Sequence, residues 1–254
     1  MTRRRWIADE FSGDRAALTG AHAAHLSRTL RARIGQQFEV ACGDQVRRAT
    51  VSSVQDERVE FALGEEVAAR AAVPLTLLLA VFKFDRMEWA IEKCTELNVT
   101  TIIPVIARRT EKHLALAADK RVERWRRIAR EAAEQSRRIA PPEIGNPVKL
   151  SDALTLNTTM VTLTGASNLS VVNVPGDLRI VLAESEHEAS LVDLLRAPFE
   201  VKSLALAVGP EGGWTGEELQ SFATSHWMAA SLGNTILRAE TAAIAAVAIA
   251  RAEL

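Results

Sequence analysis

From residue 36 to residue 63, apolar and polar positions alternate with a period of two. In Arg58-Val59-Glu60-Phe61-Ala62-Leu63 the side chains of Val59, Phe61 and Leu63 share one face, as a half-buried strand requires. Two further strands, near 37–41 and 46–54 and split by Gly43-Asp44, complete a small β-rich unit. From Leu75 the texture changes. Unbroken apolar runs at 75–82, 102–107, 180–183 and 204–208 are separated by helical patterns. Strands apolar on both sides, alternating with helices, predict an α/β unit built on a mostly parallel sheet. The boundary falls within 65–73, which gives one domain over 1–70 and a second over 74–254.

Two helices of the second domain are well specified. Met87, Ala90, Ile91, Cys94 and Leu97 make one apolar stripe, with Asp85 placed as its N-cap and Asn98 where a left-handed C-terminal cap belongs. Glu88, Glu92 and Glu96 stack on another face of that helix. They repel one another unless something basic lies alongside, and the arginine-rich helix expected over 119–138 is the candidate. Val122, Trp125, Ile128, Ala129 and Ala132 form its inner stripe, and Pro141-Pro142 is expected to end it. The Ser-, Asn- and Gly-rich stretch 165–177 reads as a loop. Residues 242–250 are apolar nearly all round, so that helix is expected in the core or in a subunit interface.

Composition narrows the classes. In 254 residues, 48% are hydrophobic and 25% charged, which excludes a disordered or collagen-like chain. The longest apolar run has nine residues, far short of the ~20 needed to cross a bilayer. Arg3, Arg4 and Arg5 are followed by no apolar segment of a secretory signal, and Cys42 and Cys94 read as buried thiols of a reducing compartment. A cytoplasmic protein is expected. The net charge of −1 hides an uneven distribution: residues 83–138 carry 14 basic and 9 acidic side chains, residues 139–254 carry 6 and 13. A basic middle beside an acidic tail suits a phosphate-binding surface, and it equally suits a solvated helix laced with ion pairs.

Candidate chemistry concentrates in two glycine-bearing stretches. In the first, the strand over 204–208 runs into Gly209-Pro210-Glu211-Gly212-Gly213-Trp214, after which Thr215 is placed to cap a helix whose first turn holds Glu217 and Glu218. Glycines at the carboxyl end of a parallel strand let a ligand approach the backbone, and that edge is where open α/β sheets bind ligands. The loop matches neither the phosphate-binding nor the dinucleotide fingerprint, and Glu211 disfavours a phosphate, so a neutral or cationic ligand is expected. The second stretch, Ser231-Leu232-Gly233-Asn234-Thr235-Ile236-Leu237-Arg238-Ala239-Glu240-Thr241, follows a strand over 228–232. Here Ile236 and Leu237 are placed to wall an adenine-sized slot, and Arg238 and Glu240 to pair and brace the loop. His22 and His25 have no further ligands near them, so no metal site is expected. The chain has no tyrosine, which leaves a carboxylate, a histidine or the substrate's own ionisation as general base.

Taken together, these stretches resemble the RsmE family, SPOUT-class methyltransferases that act on N3 of a uridine in 16S ribosomal RNA. Arg3-Arg4-Arg5-Trp6, His25-Leu26-Ser27-Arg28-Thr29-Leu30-Arg31 and Gly35 resemble its PUA-like N-terminal domain. Lys83-Phe84-Asp85-Arg86-Met87-Glu88-Trp89, Arg108-Arg109-Thr110, Arg124-Trp125 and Gln135-Ser136-Arg137-Arg138 resemble its central signature, and the two glycine stretches resemble its cofactor loops. The resemblance departs at Phe84 and Asn98, where glycine is expected, and at Trp214, where phenylalanine is commoner.

The resemblance implies an α/β SPOUT domain with a parallel sheet and a trefoil knot, a small β-rich PUA-like domain before it, and a homodimer. It implies S-adenosylmethionine as the methyl donor, without metal, and 16S rRNA or the small ribosomal subunit as partner, without a membrane. Glu184, Val208, Gly209, Pro210, Glu211, Gly212, Gly213, Leu232, Gly233, Ile236, Leu237, Arg238 and Thr241 would hold the donor. Arg109 and Arg86, just past strand ends, would act on the base. Arg3, Arg4, Arg5, Arg28, Arg31, Arg124, Arg137 and Arg138 would grip RNA. The rivals are an assembly protein that binds RNA without chemistry, a nucleotide-using enzyme, and a methyltransferase of the same fold acting on RNA ribose or on tRNA.

Overall fold

The computed structural model describes residues 5–43, 45–67, 72–155, 177–196 and 200–254. It divides into two compact units, one built from residues up to 71 with Arg130–Pro141, the other from Ala72–Ala129 with Pro142–Leu254. Most of the loop expected over 165–177, and Arg3 and Arg4, lie outside the described residues.

The first unit holds strands β1 (Arg5–Ile7), β2 (Glu10–Ser12), β3 (Arg15–Thr19), β4 (Gln37–Cys42), β5 (Gln45–Val54) and β6 (Arg58–Val67), with the short helix α1 (Gly20–Ala24). They form one sheet in the order β1-β4-β5-β6-β3-β2, antiparallel except for β1 beside β4. The period of two expected over 58–63 is realised: Val59, Phe61 and Leu63 are buried with Trp6, Leu18, Leu26 and Val40. Asp9 ties this unit internally. One carboxylate oxygen accepts from the Thr19 N–H (2.9 Å), while the other accepts from Arg130 Nη2 (2.8 Å) and lies 3.4 Å from His22 Nδ1.

In the second unit β7 (Leu75–Ala80), α2 (Phe84–Glu96), β8 (Thr101–Ile106) and α3 (Lys112–Ala117) precede α4 (Val122–Gln135), whose residues from Arg130 onward belong to the first unit. There follow β9 (Glu143–Ile144), β10 (Val148–Lys149), α5 (Leu150–Thr155), β11 (Asp177–Leu182), α6 (Leu191–Leu195), β12 (Ser203–Val208), α7 (Gly216–Thr224), β13 (Met228–Ala230) and α8 (Ala239–Glu253). The sheet is parallel throughout, in the order β10-β8-β7-β12-β11-β13 with β9 also on β8. Its unbroken apolar strands are explained by cover on both faces. Leu75, Leu77 and Leu79 of β7 and Leu204, Leu206 and Val208 of β12 pack with α2 and α8. On the opposite face Ala205 and Ala207 leave room for Trp214, Phe222 and Trp227, which meet edge to face at 5.0 and 5.2 Å.

Several local expectations are corrected. Asp85 is not the N-cap of α2; Lys83 occupies that position and Asp85 sits in the first turn, where its charge favours the helix dipole. The helix expected over 119–138 is shorter, because a tight turn at Ala118–Arg121 precedes it and Arg137 adopts a left-handed φ of 61°. The Arg138 N–H then reaches back to the Ala133 carbonyl (2.9 Å), a Schellman closure that stops the helix before the two prolines are reached. The strand expected over 228–232 ends at Ala230, and the apolar helix extends to both sides of 242–250. Glu88 finds the basic partner expected on the second helix, Arg124 Nε at 2.7 Å, whereas Glu92 and Glu96 are both met by Lys93 of their own helix at 2.8 Å. The cap at Asn98 is as expected, with φ 67°. Burial pushes the Cys94 thiol up to about 12.

Candidate active site

Three neighbouring strands, β12, β11 and β13, end on the same side of the sheet, and the loops that leave them line one cavity of about 980 Å³. That is at the upper end of the ~300–1,000 Å³ usual for small-molecule sites. β11 contributes Ala183, Glu184, Ser185 and His187; β12 contributes Val208 and the segment Gly209–Gly213; β13 contributes Leu232 to Arg238. Arg86, in the first turn of α2 after β7, and Arg109, just past β8, reach the same cavity. Every residue placed at the donor site on sequence grounds lines it except Thr241, which is exposed on α8 while Ala242 faces the cavity in its stead.

The glycine loop has a mechanical reason for its composition. A Cβ on Gly209 would stand 3.3 Å from the Trp214 indole nitrogen, and one on Gly212 would stand 3.2 Å from Arg109 Cδ. Gly213 has φ +68° and Gly233 +120°, regions that side-chain-bearing residues rarely adopt. Arg109 is folded onto this loop: its Nη1 donates to the Gly212 carbonyl (2.5 Å) and the Trp214 carbonyl (3.5 Å). Thr215 caps α7 as expected, through a capping box with Glu218. Glu218 does more than close that box. Its Oε2 accepts from the Thr215 N–H (2.8 Å) and hydroxyl (3.0 Å), while Oε1 accepts from the Arg108 N–H (2.8 Å). One buried carboxylate therefore joins the Arg108-Arg109 turn to the helix after the glycine loop.

The expected pairing of Arg238 with Glu240 is not formed. Glu240 lies in the first turn of α8 with a side chain only 6% exposed, and its partner is Arg86, whose Nε is 3.8 Å from Oε1. The cavity thus receives three arginines, Arg86, Arg109 and Arg238, against the carboxylates of Glu184 and Glu211, the latter accepting from the Lys83 N–H at 3.5 Å. Ile236 is 81% exposed at this wall.

The RNA methyltransferase domain family matches residues 69–251. Among curated relatives, the ribosomal RNA small subunit methyltransferase E of a Synechocystis species is 31% identical over 232 residues, 91% of this chain and 71% of the relative. That of Mycobacterium bovis is 31% identical over 242 residues, 93% of this chain and 86% of the relative. The chain belongs to the RsmE family. A crystal structure of a ribosomal RNA small subunit methyltransferase E from Neisseria gonorrhoeae bound to S-adenosyl methionine superposes with a TM-score of 0.79 at 27% identity, covering 96% of this chain and 95% of that one. A Legionella pneumophila methyltransferase with bound cofactor superposes at 0.78 and 25%, covering 98% and 96%.

Against this RsmE background the three departures are absorbed by packing. The Phe84 ring lies 6.1 Å from Trp125 with the Arg121 guanidinium 4.7 Å above it, Asn98 takes the left-handed cap, and Trp214 meets Phe222 edge to face. The arginines assigned to RNA have differing surroundings. Arg5 is mostly buried and bonded to Glu39 (2.9 Å); Arg28 is exposed and pairs with Asp56 (3.0 Å); Arg31 is exposed with φ 51°. Arg124 holds Glu88, and Arg137 and Arg138 close the end of α4. What the sequence reading missed were Ser185, His187 and Asn234 in the cavity wall and the bracing role of Glu218, whose capping spacing was its only local signal.

Proposed function

We propose that the protein transfers a methyl group from S-adenosylmethionine to N3 of a uridine in 16S ribosomal RNA. One observation carries the reading: in an RsmE chain, the loops leaving β11, β12 and β13 converge on a single cavity that two cations enter from β7 and β8. The residues fit the donor. Leu232, Ile236, Leu237 and Ala242 supply apolar walls, the glycine-opened backbone of 209–213 and 233 supplies hydrogen-bonding groups at close range, and Glu184 and Glu211 supply negative charge for a sulfonium.

When bound, S-adenosylmethionine supplies an electrophilic methyl carbon, and the remaining work falls to the chain. Orientation accounts for up to ~7–11 kcal/mol of the barrier in such a two-reactant displacement. The uracil N3 must shed its proton, and the resulting charge spreads onto the two flanking carbonyl oxygens. Arg86 makes no hydrogen bond among the described residues, so its donors are available to that charge; Arg109 keeps Nε and Nη2 for it while Nη1 holds the loop. The target base must be unstacked to enter the cavity. The same reading includes RNA contacts by exposed arginines such as Arg28 and Arg31, a cytoplasmic location, a knotted C-terminal unit, and a homodimer, supported by the half-buried apolar positions Ile244, Ala245, Ala248 and Ile249 of α8. Incubating purified protein with tritiated S-adenosylmethionine and unmethylated 16S rRNA tests it: label recovered as 3-methyluridine is expected, whereas label on ribose or no label refutes it.

A further inference from the structure

Glu240 is costly where it stands. Its side chain is 6% exposed, its Oε2 has no hydrogen-bond partner among the described residues, and its only ion pair is the 3.8 Å approach of Arg86 Nε to Oε1. A carboxylate buried with half its acceptors unused is disfavoured unless it does something else. A place in the first turn of α8 rewards negative charge, yet that reward does not require burial beside a cavity, and the exposed first-turn acids of other helices, Asp85 of α2 and Glu217 of α7, obtain it at the surface.

What sets Glu240 apart is that its single partner among the described residues is a cavity arginine. Arg86 is one-third exposed and has no other anchor among the described residues, so a long side chain with several rotamers would sample many orientations at the mouth of the site. A second cavity arginine, Arg109, is fixed by the Gly212 and Trp214 carbonyls. We propose that Glu240 is the positioning residue for Arg86: by engaging the Nε edge it leaves both terminal nitrogens of the guanidinium directed at the space where charge develops on the base. This deepens the functional reading above and rests on it.

The test is a double-mutant cycle on methyl transfer to 16S rRNA, with donor binding followed separately by calorimetry. Glu240→Gln should lower kcat by roughly tenfold or more while the KM for RNA and the Kd for S-adenosylmethionine stay within about twofold, because only a transition-state contact is disturbed. In the Arg86→Ala background the same change should cost almost nothing further. Independent, multiplying effects of the two changes, or an unchanged kcat in Glu240→Gln, overturn the proposal. If Glu240→Gln does not fold, Glu240→Asp replaces it: the shortened carboxylate should give an intermediate loss of kcat that vanishes when Arg86 is Ala, and a loss that persists overturns the proposal. Absence of transfer by the unsubstituted protein, with donor binding intact, would instead remove the functional reading on which this rests.

Discussion

Removing the Glu218 carboxylate should loosen the active-site frame at a point remote from any reacting atom. Glu218 is buried and accepts three bonds, two that close the capping box at Thr215 and one from the Arg108 N–H. Loss of the two bonds from Thr215 costs about 0.5–1.5 kcal/mol, since the Thr215 hydroxyl still accepts from the residue 218 N–H, and loss of a charged acceptor on the Arg108 N–H costs about 1.5–3 kcal/mol. Because one side chain provides both, and Arg108 and Thr215 retain some access to water, Glu218→Ala should lose about 2–4 kcal/mol. At roughly 2–4 °C per kcal/mol for a chain of this size, the melting temperature should fall by about 5–15 °C. Glu218→Gln keeps the shape but turns an N–H₂ toward either the Arg108 N–H or the two Thr215 donors, so it should lose about half as much. Differential scanning calorimetry reads both. The Arg108-Arg109 turn is released in the same step, so affinity for S-adenosylmethionine should also weaken in calorimetric titration. Variants that melt within a degree of wild type, or an alanine variant no worse than glutamine, would refute this bracing role.

Other outcomes follow from single features. Gly213→Ala forces a side chain onto φ +68° and should cost ~1–2 kcal/mol by urea unfolding, with weaker donor binding; an unchanged midpoint would show that the loop is not held in that conformation. Arg251→Ala strips guanidinium bonds from the Val73 carbonyl (2.6 Å) and from the carbonyls of Leu97 and Asn98 at the end of α2, and should lower stability by about 2–4 kcal/mol. At Asp9, burial alone would raise the carboxyl, but His22, the Thr19 N–H and Arg130 outweigh it and hold it below its ordinary value. Its contribution is therefore present above the unfolded pKa and lost as pH falls through the folded one, so the stability gap between wild type and Asp9→Asn should shrink on acidification below about pH 4. A gap that stays level or widens on acidification would contradict it. Cys94, with its thiol near 12, should resist alkylation at pH 8 until the protein is unfolded, which mass spectrometry after iodoacetamide treatment reads directly.

Much of the fold was legible because local patterns and tertiary burial agree. Leu75–Ala80 and Ser203–Val208 are apolar on both faces and are buried on both, and the stripe from Met87 to Cys94 faces the sheet as its spacing requires. Strand order was not legible: β13 pairs with β11 and β7 lies between β8 and β12, neighbours set by crossovers and not by any run of residues. The short strands β1, β2 and β3 escaped for the same reason, since three residues such as Glu10–Ser12, all exposed, carry no periodicity.

At the site, the glycines announced their loops because strained or crowded backbone leaves a compositional trace. Partners of charged side chains leave none. Glu240 was assigned to Arg238, two residues away, whereas the fold supplies Arg86, 154 positions earlier in the chain. Thr241 was taken for a wall residue because it sits in the motif, but one helical step turns it outward and brings Ala242 in.

The most direct measurement is a nucleoside-resolved mass map of 16S rRNA from cells lacking this protein, complemented with wild type or with Arg86→Ala. Loss of 3-methyluridine at one position, restored by wild type and not by the arginine variant, is the expected result. A 16S rRNA that keeps its full 3-methyluridine, or a missing methyl group that maps to ribose or to tRNA, contradicts it.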